Sequence, residues 1–271
     1  MDELTIQVGG APTFYRRAPV AGDEVLYLHS VPTSSDDWVD LLGLAGGVAP
    51  DLPGFGRSGK AGHLDYSLPG YVRFVENFLD ELGLDSVTLV GHGWGAAIGL
   101  MFAQRSPERI DRLAIIDAIP LLPGFQWPGI ARWWRRPVIG ELVMGSVARW
   151  MLARMLRNGA TTPEAWPDAR IDRVWEQFDQ GTQRAILRLF RSVDAGLLAA
   201  AGADLGELEQ PALIVWGGRD PWIPPLFAES YAHRLPGATV ERIPDAGHWP
   251  WLDQPEVTVR LAEFVGDAQH A

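Results

Sequence analysis

The chain contains no cysteine among its 271 residues. That excludes disulfide bonds, a thiolate nucleophile and any cysteine metal site, and it fits a cytoplasmic location. Lysine is almost missing as well: Lys60 is the only one, and the remaining basic residues are arginines. We read this as genome composition rather than chemistry. Positive charge is in deficit, with a formal net charge of −11. This argues against nucleic acid and against anionic membrane surfaces as partners. No uninterrupted apolar run approaches the roughly 18 residues of a membrane span. The start, MDELTIQVGG, lacks the basic region and apolar run of a signal peptide. No repeat, heptad run or low-complexity tract stands out. Apolar residues, in contrast, make up 47% of the chain, enough to bury a sizeable core. The length suits one large domain, or a core with an inserted subdomain.

Residues 4–8 and 12–17 predict a hairpin around Gly9-Gly10. Short apolar runs at 25–29 and 46–51 predict buried strands. After the first comes the turn His29-Ser30-Val31-Pro32, and then a short helix through about residue 43, capped by Ser or Asp. After the second comes DLPGFGRSGK, rich in glycine and proline but without the Lys-Ser/Thr of a phosphate loop, so nucleotide binding is rejected. Residues 68–83 have apolar side chains at helical spacing, stopped by Gly83. Strand 86–90, a helix to about Arg105 and strand 112–117 follow. Alternating strand and helix predicts a mostly parallel sheet flanked by helices.

The alternation stops between about Ala118 and Ala203, where only helical pieces are legible. This stretch holds half of the chain's 12 tryptophans and is rich in arginine. It reads as a helical cap at 120–203, inserted between two strands of a core formed by 1–119 and 204–271. The pattern resumes with strand 211–217, a helix at about 225–234, strand 238–243 and a last helix at about 255–266.

The central motif is Gly91-His92-Gly93-Trp94-Gly95, entered from a strand and left by a helix that starts with Ala96 and Ala97. Strand, tight glycine turn and helix are the context of a nucleophile elbow, G-x-Nu-x-G. The tip should hold Ser, Asp or Cys, but Gly93 has no side chain. Asp220 and His248 follow at strand ends further along. Nucleophile, acid, histidine is the chain order of a hydrolase triad, in which the histidine moves protons and the acid orients it.

Five motifs in this order, HSVP (29–32, where the family often has HGxP), DLPGFGRS (51–58), GHGWG (91–95), GGRDPWIP (217–224) and DAGHWPWLDQPE (245–256), closely resemble the α/β-hydrolase superfamily. Trp94 after the elbow looks most like the haloalkane dehalogenase and epoxide hydrolase branch. The resemblance implies an α/β-hydrolase fold with no cofactor, His248 as base and Asp220 as its acid, with Asp117 as the alternative acid. It implies an oxyanion hole from the N–H groups of Trp94 and Val31. It also places Trp94, His29 and Trp249 at the substrate pocket, although His29 is better explained as a brace for its own loop. His92 reads as structural, Asp51 as a loop brace, and His63, His233 and His270 as surface residues. No His/Asp/Glu spacing suggests a metal.

The departures narrow the activity. Those relatives carry Asp where this chain has Gly93. Val31 stands where dehalogenases have an asparagine, and the cap has no tyrosine to protonate an epoxide. The expectation is a hydrolase of small to medium apolar molecules (haloalkane, ester or lactone), impaired by Gly93 and restored by Asp or Ser there. The alternatives are an enzyme that uses His248 as general base without a nucleophile, and a ligand-binding protein without chemistry. The partner is a small-molecule substrate, and the chain is a monomer or homodimer.

Overall fold

The computed structural model describes residues 1–266. The hairpin forms from β1 (Asp2–Val8) and β2 (Ala11–Ala18), which pair antiparallel across Gly9-Gly10. Then come β3 (Val25–Leu28) and β4 (Gly47–Pro50), with α1 (Val39–Ala45) between them. The predicted Ser/Asp cap is Ser34, which accepts the Asp36 N–H at the start of a 3-10 turn leading into α1.

Helix α2 (Leu68–Leu82) shows how the sequence writes an element. Ser67 caps it by accepting the Gly70 N–H at 3.2 Å, and Pro69 fits the first turn, where no amide partner is needed. Tyr71, Val72, Val75, Phe78 and Leu79 are buried on one face. Each contributes about 1.5–3 kcal/mol on burial. Gly83 ends the helix in the left-handed conformation, φ 67°. Ser67→Ala would remove the cap at a cost of about 1 kcal/mol.

Strand β5 (Val87–His92) runs into α3 (Trp94–Arg105), and β6 (Ile110–Ile116) follows. Between β6 and the next strand the described chain contains helices and no strand: α4 (Gly129–Trp134), α5 (Ile139–Gly145), α6 (Arg149–Asn158), α7 (Asp168–Gln177), α8 (Gln180–Ser192) and α9 (Ala195–Ala201). The core resumes with β7 (Ala212–Gly217), α10 (Leu226–Ala232) and β8 (Ala238–Ile243), and ends with α11 (Pro250–Asp253) and α12 (Glu256–Gly266). The helix expected at 255–266 is therefore preceded by a separate turn of helix carrying Trp251.

The sheet order is β1-β2-β4-β3-β5-β6-β7-β8. β1–β2 and β2–β4 are antiparallel, and all other neighbours are parallel. The central strands β3, β5 and β7 are buried at every position, as expected for strands covered on both faces. The carboxyl ends of the parallel strands converge on one edge, and the loops leaving them carry every candidate site residue. No described helix is long and apolar enough to cross a membrane.

Candidate active site

Gly93 occupies the tip of the turn between β5 and α3 with φ 51°, a conformation that strains any residue with a Cβ. Gly95, the second residue of the helix, lets α3 lie against β3, since a Cβ there would overlap the Leu28 carbonyl oxygen. The elbow geometry is thus intact without its side chain.

His248 is buried in the loop after β8. Its Nδ1–H donates to Asp220 Oδ2 at 2.7 Å. The other oxygen of Asp220 accepts the N–H groups of Trp222 at 2.7 Å and Ile223 at 3.1 Å. The carboxylate is therefore fixed from both sides, and it fixes the tautomer that leaves Nε2 as a bare acceptor. Nε2 lies 3.6 Å from where a Gly93 Cβ would be. Asp220 is the acid that orients His248, and Asp117 is not. Asp117 leaves β6 with φ 41° and turns its carboxyl to the Gly217 N–H at 3.1 Å. Burial first, and then the neighbouring charge of Asp220, push its pKa well above the usual carboxylate range. Its carboxyl makes no hydrogen bond to the imidazole; both of its oxygens accept the Gly217 N–H.

Donor atoms of Asp117, Asp220 and His248 all lie within 4.8 Å of one another, a grouping that sequence spacing did not suggest. The Nδ1 of His248 is committed to Asp220 Oδ2, and Asp117 lies behind that pair.

His92 packs against His248, with ring centroids 4.5 Å apart, and donates Nε2–H to the His248 carbonyl at 2.7 Å. Burial, reinforced by the facing His248, holds its pKa well below the ordinary value. It is a neutral prop, as its sequence context suggested. His29 is a correction: it does not reach the substrate. Its Nδ1–H donates to Ser30 O at 2.7 Å and its Nε2 accepts the Leu52 N–H at 2.8 Å. Both ring nitrogens are consumed by loop backbone, and burial keeps the ring neutral. Asp51 braces its loop through the N–H groups of Ser35 and Arg57. His63 and His233 are exposed, and His270 lies outside the described residues.

The expected oxyanion hole is also corrected. The Trp94 N–H is already taken: it donates to Ser30 Oγ at 3.1 Å. Val31 lines the cavity, and among the described residues its N–H has no acceptor. Ser30 is the residue that sequence reasoning missed. Its only signal was a side chain in HSVP where related loops have glycine.

A cavity of about 380 Å³ opens over the elbow. Ser30, Trp94, His248 and Trp249 line it from the core, and Trp127 and Phe190 from the helical insertion. Trp94 and Trp249 are thus where substrate contacts were expected. Trp94, Trp127, Trp134 and Trp249 each hold a buried indole N–H with no acceptor among the described residues. Such donors cost about 1–3 kcal/mol when unpaired, and each indole nitrogen is itself buried rather than open to the cavity. Ile130, Trp150, Met151, Arg154 and Asn158 line the cavity yet are exposed. They mark its mouth between α4 and α6.

The profile of the family described as "Alpha/beta hydrolase family" matches residues 25–261. A haloalkane dehalogenase of Mycolicibacterium paratuberculosis is 32% identical over 91% of this chain and 84% of its own length. Haloalkane dehalogenase 1 of Mycobacterium bovis is 31% identical over 89% of this chain and 78% of its own. The crystal structure of a haloalkane dehalogenase from Bradyrhizobium elkani superposes with a TM-score of 0.87 at 25% identity, covering 99% of this chain and 98% of that one. Sheet, elbow, histidine loop and matched sequence agree: the chain belongs to the α/β-hydrolase family, close to its haloalkane dehalogenase branch.

Proposed function

We propose that the protein hydrolyses small to medium apolar esters or lactones beneath its helical cap, with His248 as the base and Asp220 as the acid that orients it. The observation that carries this reading is the His248–Asp220 pair at 2.7 Å, with its free Nε2 on the wall of an apolar cavity over the elbow. A histidine so held takes a proton at neutral pH and returns it to a leaving group. The cavity volume suits a small organic molecule, and its lining is mostly apolar and aromatic.

Haloalkanes, the substrates in the names of the relatives, fit less well. Displacing a halide by covalent catalysis and then releasing the alcohol requires a carboxylate nucleophile, because only an alkyl ester can be opened by water at its acyl carbon. Gly93 offers none, and both nearby carboxyls are engaged, Asp117 with a backbone amide and Asp220 with backbone amides and His248. Gly93 also supports a second reading, in which His248 activates water or substrate directly.

The test is a panel of esters, lactones and haloalkanes with the parent protein and with His248→Ala. Ester or lactone hydrolysis, lost in the variant, is expected, without halide release. A ligand that binds and is recovered unchanged, with no turnover of any substrate, would leave only a binding protein.

A further inference from the structure

Ser30 follows the end of β3 and lies on the cavity wall, 2% exposed. A Cβ built on Gly93 would overlap Ser30 Oγ, come within 2.8 Å of Ser30 Cβ and stand 3.6 Å from His248 Nε2. The serine side chain fills the space that the elbow side chain has vacated. The two departures from the family pattern are complementary: position 93 lost a side chain, and position 30 has one where related loops have none.

What surrounds Ser30 Oγ suits an attacking oxygen. It accepts the Trp94 N–H at 3.1 Å, the first amide of the 12-residue α3. Negative charge is favoured at a helix N-terminus. Ser30 Oγ acts there only as an acceptor, so its own hydrogen is uncommitted among the described residues. His248 Nε2, the nearby acceptor, is uncommitted too. Such contacts are often long until substrate is bound.

We infer that Ser30 is the nucleophile of this site, a hydroxyl supplied by the β3 loop in place of the elbow residue, and that the substrate is a carboxylic ester or lactone. This rests on the hydrolase reading above and deepens it. Ser30 Oγ bonds to the substrate's carbonyl carbon while its proton passes to His248 Nε2. The bond from that carbon to the alkoxy oxygen breaks, and the alkoxy oxygen takes the proton from His248. The acyl group remains as an ester of Ser30. Water then adds to the carbonyl carbon and gives its proton to His248. The bond to Ser30 Oγ breaks, Oγ takes the proton back, and the carboxylic acid leaves. The Val31 N–H, on a residue of the cavity wall and without an acceptor among the described residues, is a donor for the carbonyl oxygen. With an alkyl halide the same attack would leave an ether, which activated water does not cleave.

The test uses the full chain, p-nitrophenyl butyrate and an alkyl fluorophosphonate. The parent should hydrolyse the ester and take one label, on the peptide containing Ser30. Ser30→Ala should lose the label, and its rate should fall by about 10³-fold or more. A label elsewhere, or a Ser30→Ala rate within threefold of the parent, overturns the inference and leaves the hydrolase reading standing. No hydrolysis and no label in the parent overturns both. Ser30→Cys gives a readout independent of turnover, because the chain has no other cysteine. Its alkylation by iodoacetamide should reach half-maximum below the ordinary thiol pKa of about 8.5 and return to that value when His248→Ala is added. An ordinary profile in both proteins overturns the contact with His248.

Discussion

Asp253 Oδ1 accepts the Thr162 N–H at 2.9 Å and the Thr162 hydroxyl at 3.0 Å. The same oxygen accepts the Thr161 N–H at 2.9 Å, and Oδ2 accepts the Gly247 N–H at 2.8 Å. One carboxylate therefore ties the helical insertion to the loop that carries His248. The His248 N–H donates to Gly159 O at 2.6 Å beside it. Asp253→Ala strands four donors, and a loss of about 3 kcal/mol is expected. Urea unfolding measures it. A midpoint equal to that of the parent would show the tie to be idle.

Gly93→Ala should destabilise by about 1–3 kcal/mol, since alanine is strained at this φ and its methyl overlaps Ser30. Part of that loss should return in Ser30→Gly, giving a coupling of at least about 1 kcal/mol in a double-mutant cycle. Gly93→Asp alone should not create halide release; paired with Ser30→Gly it should. The sequence-based expectation is that restoring the elbow side chain is enough, and comparing the single with the double variant decides between the two. Strictly additive stabilities would refute the shared space.

The two acids should separate cleanly. Asp220→Asn loses the charge that orients and stabilises the imidazolium, and kcat should fall by about 10³–10⁴-fold. Asp117 makes no hydrogen bond to the imidazole, and Asp117→Asn preserves its shape and its acceptor for Gly217, so the rate should stay within about tenfold. Steady-state ester hydrolysis at pH 7.5 measures both. A larger loss from Asp117→Asn would reverse the assignment.

Asp37 lies on the 3-10 turn before α1, and burial pushes its pKa up from 3.8 to about 7. Between those values the unfolded chain releases a proton that the folded chain keeps, so stability falls as pH rises through the window and the penalty persists above it. Asp37→Asn removes the penalty. Relative to the parent it should gain stability from pH 4.5 to pH 8, by chemical denaturation at both. A constant difference between parent and variant would disprove the shift.

The fold was legible because its signals are local. The spacing of Val72, Val75, Phe78 and Leu79 with Gly83 behind them specifies α2, and alternating apolar runs specify the sheet. His248 and Asp220 were legible from motif order. The choice between Asp220 and Asp117 was not, since both leave adjacent strands and only the direction of each carboxyl decides. Ser30 was hidden for a stronger reason. Its meaning lies in the volume it shares with residue 93, and that volume exists only once β3 and β5 are neighbours.

The mouth between α4 and α6 has a consequence for turnover. In the proposed reaction a neutral ester enters the apolar cavity easily, but its hydrolysis leaves a carboxylate. An apolar enclosure disfavours a bare charge, while Arg154 waits at the exit. Substrate and product thus partition in opposite directions across one opening. The reaction changes its own passenger from one that belongs inside to one that belongs in water, and acid product should accumulate in solution with little inhibition.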